Sequence, residues 1–124
     1  MEYFIYKSET YDTIGICMEV HKQLGKGFLE IVYKDAIEYE FKCKNYFYER
    51  EKIFLINYKN IILPHKFYAD FVVFDKIILE IKSCNGIVDE FFARTINYLA
   101  ASKLKVGLIV NFGKDSLEYK RIIL

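Results

Sequence analysis

The chain has 124 residues, which is enough for one compact domain with its own core and too short for a second domain of ordinary size. Hydrophobic residues make up 53% of the sequence and charged residues 28%, a balance that excludes a disordered chain. The net charge is only +1, so the composition excludes the strong basic field that attracts nucleic acid and counts mildly against such a partner.

The cysteines and the N-terminus bear on the compartment. Cys17, Cys43 and Cys84 lie far apart and form no C-x-x-C pair, so we expect three reduced thiols. The N-terminal sequence MEYFIYKSETYD carries acidic residues and lacks a long apolar run, unlike a signal peptide or a membrane anchor. These features predict a cytoplasmic protein that does not bind a membrane.

Helical periodicity marks the start of the chain. Apolar residues recur every three or four positions over residues 14–24, and Thr10 is a plausible N-cap, which predicts a first helix. His21 falls on the apolar stripe, so we expect a core histidine bonded to a backbone carbonyl. Gly25 and Gly27 break the pattern and predict a corner.

The remaining elements follow from period and composition. Apolar stripes predict a second helix over residues 29–41 and a third over 88–101. Branched and aromatic residues predict strands over 46–58, 61–63, 67–74, 76–82, 106–110 and 118–123. Pro64 separates two of them. The run 106–110 is uninterrupted and apolar, which is typical of a central strand parallel to a neighbour. We therefore predict one α+β domain over residues 1–124, with a mixed central β-sheet flanked by helices.

Three charged residues stand inside strands that are otherwise almost wholly apolar. Asp70 lies in YADFVVF, and Glu80 and Lys82 lie in IILEIKS. Charge buried in such strands requires compensation. Two interpretations remain open. The side chains form a buried ion-pair network, or the carboxylates bind a divalent metal, which would suit phosphodiester hydrolysis, while the lysine acts on the substrate.

The connection between these two strands decides whether such a site can form. A two-residue turn would send the carboxylates of Asp70 and Glu80 to opposite faces of the sheet. A connection of three residues, 74–76, would instead pair Asp70 with Glu80. The same register would pair Tyr68 with Lys82, and all four side chains would share one face. We predict this second register, because burial of the charges on separate faces is costly.

The arrangement of these residues resembles a known superfamily. Asp70, followed by Glu80-Ile81-Lys82 on the next strand and then by a helix and a buried strand, resembles the PD-(D/E)XK nuclease superfamily. The resemblance implies a restriction-endonuclease-like core with the order helix, three strands, helix, strand. The proline that usually precedes the aspartate is Ala69 here, and Arg94 stands where related nucleases often place glutamine.

A second resemblance runs nearly end to end. Residues 27–33, GFLEIVY, look like the G-x-x-E-x-x-Y signature of the GxxExxY protein family, which is generally assigned to the PD-(D/E)XK fold. Further matches are Val20-His21, Tyr68-Ala69-Asp70, Glu80-Ile81-Lys82, Asn97-Tyr98-Leu99 and the closing GLIVNFG. The resemblance implies that Glu30, Asp70 and Glu80 supply carboxylate ligands to a metal. It makes the Ile81 carbonyl a fourth ligand.

The resemblance also implies a function. The chain would be a nuclease that uses Mg²⁺ or Mn²⁺ to hydrolyse nucleic acid, DNA in preference to RNA, with Lys82 as the catalytic cation. Tyr33 would steady the Glu30 carboxylate. Tyr98 would turn its hydroxyl toward the polar centre, and Arg94 would clamp a phosphate or pair with an acid. The alternative is a module of the same fold that binds nucleic acid or a protein without turnover. A domain this small cannot surround a duplex, so a homodimer or a larger protein partner is expected.

Overall fold

The structure is a computed structural model that describes residues 4–124. Within these residues, three helices and five strands follow one another: α1 (Lys7–Leu24), α2 (Glu30–Lys44), β1 (Tyr48–Tyr58), β2 (Ile61–Val73), β3 (Ile77–Lys82), α3 (Asp89–Ser102), β4 (Val106–Asn111) and β5 (Glu118–Ile123). The elements follow one another in the predicted order, but two of the six predicted strands form a single strand and the start of α1 differs.

The five strands form one mixed sheet in the order β1-β2-β3-β4-β5. Strands β3 and β4 are parallel, and the other three neighbouring pairs are antiparallel. Helix α3 connects the two parallel strands, as a crossover must. Every residue of β4 is buried. The predicted mixed sheet, with a buried central strand parallel to its neighbour, is confirmed.

Helices cover both faces of the sheet, so the core has two parts. Helices α1 and α2 pack on one face, where Ile37 and Leu79 belong to the same buried cluster. Helix α3 packs on the other face, where Leu99 and Ile78 belong to a second buried cluster. Because successive side chains of a strand point to opposite faces, β3 contributes to both parts in alternation.

Helix α3 lies unusually close to β4. A Cβ atom on Gly107 would stand 2.6 Å from the Cγ2 atom of Thr95. Thr95 is buried and donates a hydrogen bond of 2.9 Å from its hydroxyl to the Phe91 carbonyl. The missing side chain at Gly107 is therefore what allows the helix to pack at this distance.

The start of α1 differs from the prediction. Thr10 is inside the helix and buried, and its amide donates to the Tyr6 carbonyl at 2.8 Å. Tyr6 is the N-cap position and makes no side-chain cap. Thr10 was therefore wrongly assigned as the N-cap, because burial of this side chain in the core outweighs its preference for a helix end.

Strand β2 also differs, because it runs through Pro64 without a break. The register between β1 and β2 shifts between Leu55 and Asn57, opposite the proline. Such a bulge accommodates a residue that has no amide hydrogen to donate. The two predicted strands 61–63 and 67–74 are therefore one strand.

The corner between α1 and α2 is confirmed. Gly25 and Gly27 have φ angles of 69° and 108°, which favour glycine. The His21 ring lies 2.9 Å from the Lys114 carbonyl through Nε2, so the predicted bond to a backbone carbonyl is also confirmed. All three cysteine thiols are free. No helix among residues 4–124 combines the length and the apolar character that a membrane span requires.

Candidate metal centre at a strand fork

The hairpin of β2 and β3 has the predicted register. Val73 pairs with Ile77, and Phe71 pairs with Leu79, so the connection consists of residues 74–76. Phe74 and Asp75 take φ angles of 58° and 57° to make this turn. The three-residue connection is confirmed.

The two strands stop pairing beyond Phe71 and Leu79, and we call this point the strand fork. Here a side chain of β2 replaces the backbone as the partner of β3. The Oδ2 atom of Asp70 accepts a hydrogen bond of 2.7 Å from the Ile81 amide. Tyr68 pairs with Ile53 of β1 and does not pair with Lys82. The ladder thus ends before the predicted Asp70–Glu80 and Tyr68–Lys82 pairs, so these two pairs were wrongly predicted, because Asp70 leaves the ladder and bonds to β3 through its side chain.

Glu80 is the second carboxyl group at the strand fork. It is only 5% exposed, and its Oε1 atom has no hydrogen-bond partner among the described residues. Burial, together with the charge of Asp70, raises the pKa of Glu80 to about 9, and Lys82 opposes this shift. A buried carboxyl group that lacks a partner for one oxygen is costly, so the sheet holds Glu80 at a price in stability.

Lys34 is the residue that the sequence analysis missed. Its ammonium lies 3.1 Å from Asp70 Oδ1 and also binds Glu51. Lys34 is buried, which lowers its pKa, but its bonds to Glu51 and Asp70 outweigh burial and raise the pKa overall. A signal was present in the sequence, since Lys34 directly follows Tyr33 and precedes Ile37 by three residues on the buried side of α2.

Glu30 is not brought to the other two carboxylates. Its side chain is exposed at the first residue of α2. Within residues 4–124, no group of three or more His, Cys, Asp or Glu side chains stands ready to hold a metal ion. Glu30 lies one helical turn before Lys34 and so shares its side of the helix. The predicted set of three carboxylates is therefore not preassembled.

The Tyr33 hydroxyl makes no hydrogen bond to Glu30 among the described residues, so that prediction was wrong. The Tyr33 hydroxyl donates to the Gly25 carbonyl at 2.6 Å and accepts from the Phe28 amide at 3.3 Å. Its ring is fully buried and stacks on Phe112 at 4.5 Å between centroids. Tyr33 instead closes the glycine corner, which fixes the point where α2 begins.

Lys82, Tyr98 and Arg94 lie around the strand fork. The Lys82 ammonium stands 4.5 Å from the centroid of the Phe91 ring. Tyr98 is buried, and burial followed by the charges of Glu80 and Asp70 raises its pKa, whereas Arg94 lowers it. That the Tyr98 hydroxyl turns toward the carboxyl groups stays a prediction. Arg94 is exposed and makes no ion pair within the described part of the chain.

The groups at the strand fork suit a hard divalent cation. Asp70 and Glu80 offer carboxyl oxygens, which are the ligands that Mg²⁺ and Mn²⁺ prefer. The unpartnered Oε1 atom of Glu80 is an acceptor that lacks a donor, and a cation would supply its missing partner. A cation would also reduce the repulsion between the two carboxyl groups. Without a cation, Lys34 neutralises Asp70, and the raised pKa of Glu80 favours its protonated form.

The fold and these groups define a domain of the nuclease class, with helices on both faces of a mixed sheet and acidic groups at the fork of two strands. A sequence model of the PD-(D/E)XK nuclease superfamily matches residues 7–122. The chain belongs to this superfamily.

A comparison with curated proteins gives no match. Among solved structures, the chain is similar to the crystal structure of SSO0001, with a TM-score of 0.57 and 23% identity. The match covers 74% of this chain and 48% of that one, so this chain spans about half the length of SSO0001. At this level of identity the likeness concerns the fold alone.

Proposed function

We propose that the chain is a divalent-metal-dependent nuclease that hydrolyses phosphodiester bonds, with its centre at the strand fork. The observation that carries the proposal is the pair of Asp70 and Glu80 beside one another, with the Glu80 Oε1 atom buried and unpartnered. A cation bound between the two carboxyl groups would give this oxygen a partner. Membership of the nuclease superfamily supports the same chemistry.

The proposed ligands are the carboxylates of Asp70 and Glu80 and the carbonyl of Ile81. Bound Mg²⁺ or Mn²⁺ would supply charge to the phosphate oxygens and lower the pKa of a water molecule. The Ile81 amide holds Asp70 through Oδ2, so the register of the hairpin orients this ligand. Glu30 would join from the first turn of α2, on the side of the helix that carries Lys34.

Lys82 is the proposed catalytic cation. It follows Glu80 by two residues on β3, so both side chains leave the strand on the same side. Its charge favours the ionised form of Glu80. The same charge would orient the attacking water or neutralise the negative charge that develops in the transition state. Arg94, which is exposed on α3, would contact a phosphate of the substrate.

The glycine corner supports a closer assignment, namely the GxxExxY family. Gly27 adopts a positive φ angle, and Tyr33 bonds to Gly25 and Phe28, so the first and last letters of the motif have structural roles. Glu30, the middle letter, is exposed and has no such role. The Glu30 carboxylate could therefore coordinate a metal ion, which fits the proposed function. We further propose DNA as the substrate and the cytoplasm as the site of action.

A second candidate is a binding module without turnover. It is favoured by the absence of a ready group of three ligands in residues 4–124 and by Lys34, which already neutralises Asp70. In this case the domain would bind nucleic acid or a protein partner, and no metal would be needed.

Cleavage assays distinguish the two functions. The full chain is incubated with single-stranded, duplex and branched DNA and RNA, with Mg²⁺, Mn²⁺ or EDTA. The proposal predicts metal-dependent cleavage that Asp70→Asn, Glu80→Gln and Lys82→Ala each reduce by about a hundredfold or more. Glu19→Gln, an exposed carboxylate on α1, is the matched control and retains full activity. The proposal that the chain is a nuclease is refuted if no substrate is cleaved and calorimetry detects no metal binding.

A further inference from the structure

The hairpin of β1 and β2 extends well beyond the rest of the sheet. Only residues 71–73 of β2 pair with β3, whereas β1 pairs with β2 along almost its whole length. We call residues 52–69 the arm. Asp70 lies nine positions along the chain from Ile61 at the tip, which corresponds to about 30 Å of extended strand. The arm therefore extends past the strand fork, and Phe67 on its other face packs on Tyr98 of α3 at 5.0 Å between ring centroids.

The arm differs in charge from the rest of the chain. It contains Lys52, Lys59, His65 and Lys66 and no Asp or Glu, although the chain has 17 acidic residues. Lys59 and Lys66 are exposed and make no ion pair within residues 4–124. By contrast, Arg50 just outside the arm binds two acidic residues of α2. The free cations of the arm favour a polyanion as its partner.

One face of the arm is apolar as well as basic. Ile53 pairs with Tyr68, and Leu55 pairs with Lys66. Alternation along the strands puts these four side chains on one face, and all four are exposed. Tyr68 is 51% exposed and only two residues from Asp70. The face thus presents an aromatic ring beside the strand fork and aliphatic side chains farther out.

We propose that the arm binds single-stranded nucleic acid and leads it to the strand fork, with bases packed on Tyr68 and Ile53 and phosphates near Lys59 and Lys66. Proteins commonly bind single strands by stacking the bases on aromatic rings and by placing positive charges along the sugar-phosphate backbone. The fate of the bound strand rests on the proposed nuclease function, whereas its binding to the arm does not.

The apolar face decides between a single strand and a duplex. A duplex presents charged phosphates and sugars on its outside, and the apolar face of Ile53 and Leu55 would remove water from these groups without replacing their hydrogen bonds. A single strand presents the flat faces of its bases, which pack on aromatic and aliphatic side chains. The cations alone would suit either form of nucleic acid, so the apolar face is the deciding feature.

Fluorescence anisotropy with a labelled oligothymidylate of about 20 nucleotides tests the proposal in EDTA, where cleavage cannot occur. Tyr68→Ala should weaken binding by about tenfold, and Tyr68→Phe should bind like the wild type because stacking does not need the hydroxyl. Lys59→Glu combined with Lys66→Glu should weaken binding by about tenfold and reduce the slope of log affinity against log salt. Lys22→Glu, an exposed lysine on α1, controls for charge alone.

The outcomes separate the arm from the catalytic centre. Loss of binding in the arm variants, with folding unchanged by circular dichroism, supports the proposal even where no variant cleaves. Equal binding of Tyr68→Ala and the wild type overturns it, as does preference for a duplex of the same length. A dimer in sedimentation that dissociates on Ile53→Asp, with binding of the oligonucleotide unaffected, also overturns it, because the apolar face would then contact a second copy.

Discussion

Replacement of Glu80 by glutamine should stabilise the metal-free protein although it removes a proposed metal ligand. Glu80 is buried beside Asp70, and one of its oxygens lacks a partner. Glutamine has the same shape and carries no charge. The variant therefore keeps the packing of the strand fork and removes the need to hold a proton on a carboxyl group.

The size of the effect follows from the pKa. Burial and the charge of Asp70 raise the pKa of Glu80 from 4.5 to about 9. The folded protein therefore binds a proton that the unfolded chain releases, so stability from this group is complete below pH 4.5 and is lost as the pH rises toward 9. At about 1.4 kcal/mol for each pH unit, Glu80→Gln should gain about 3 kcal/mol at pH 7.

Urea denaturation in EDTA at about pH 5 and about pH 8 measures this gain. We expect the free energy of unfolding of Glu80→Gln to be much larger than that of the wild type at the higher pH and only slightly larger at the lower one. Glu19→Gln, an exposed carboxylate, should change the free energy of unfolding by less than about 0.5 kcal/mol. Added Mn²⁺ should stabilise the wild type and leave Glu80→Gln unchanged. A gain that is absent, or equal at both pH values, would refute the reasoning.

Three further predictions concern the support of the strand fork and the core. Lys34→Met leaves Asp70 without its cation and should cost about 2 kcal/mol of unfolding free energy and reduce cleavage, whereas Lys34→Arg should restore most of both. Gly107→Ala should cost about 2 kcal/mol in urea denaturation through its clash with Thr95, and Thr95→Ser in the same chain should recover most of it; additive losses would contradict the clash. Tyr33→Phe should cost about 1 kcal/mol by the same assay, and an unchanged midpoint would show that its two hydrogen bonds contribute nothing.

The sheet was predictable because its signals are local and consistent. The apolar run of β4 predicted a buried strand, and charged residues in apolar strands marked Asp70 and Glu80. The register of their hairpin followed from one physical argument, the cost of charges buried on separate faces. Each of these inferences needs only the period of a strand and the polarity of its residues.

The partners of these residues were less predictable, because they depend on contacts between distant segments. Lys34 meets Asp70 across 36 positions of sequence, and a lysine beside an apolar stripe is usually a solvated residue. Tyr33 was assigned to Glu30 by helical spacing, but the hydroxyl turns back to the glycine corner. The arm was not predicted, because Pro64 indicates a break between two strands. The bulge that accommodates the proline cannot be read from local sequence.

The most direct test of the proposed metal centre is a crystal of the full chain soaked in Mn²⁺ and measured at a wavelength where manganese scatters anomalously. We expect a peak between the carboxylates of Asp70 and Glu80, next to the Ile81 carbonyl, and its loss in Glu80→Gln. A map without a peak at the strand fork at saturating Mn²⁺, or a peak elsewhere in crystals of an active enzyme, would contradict it.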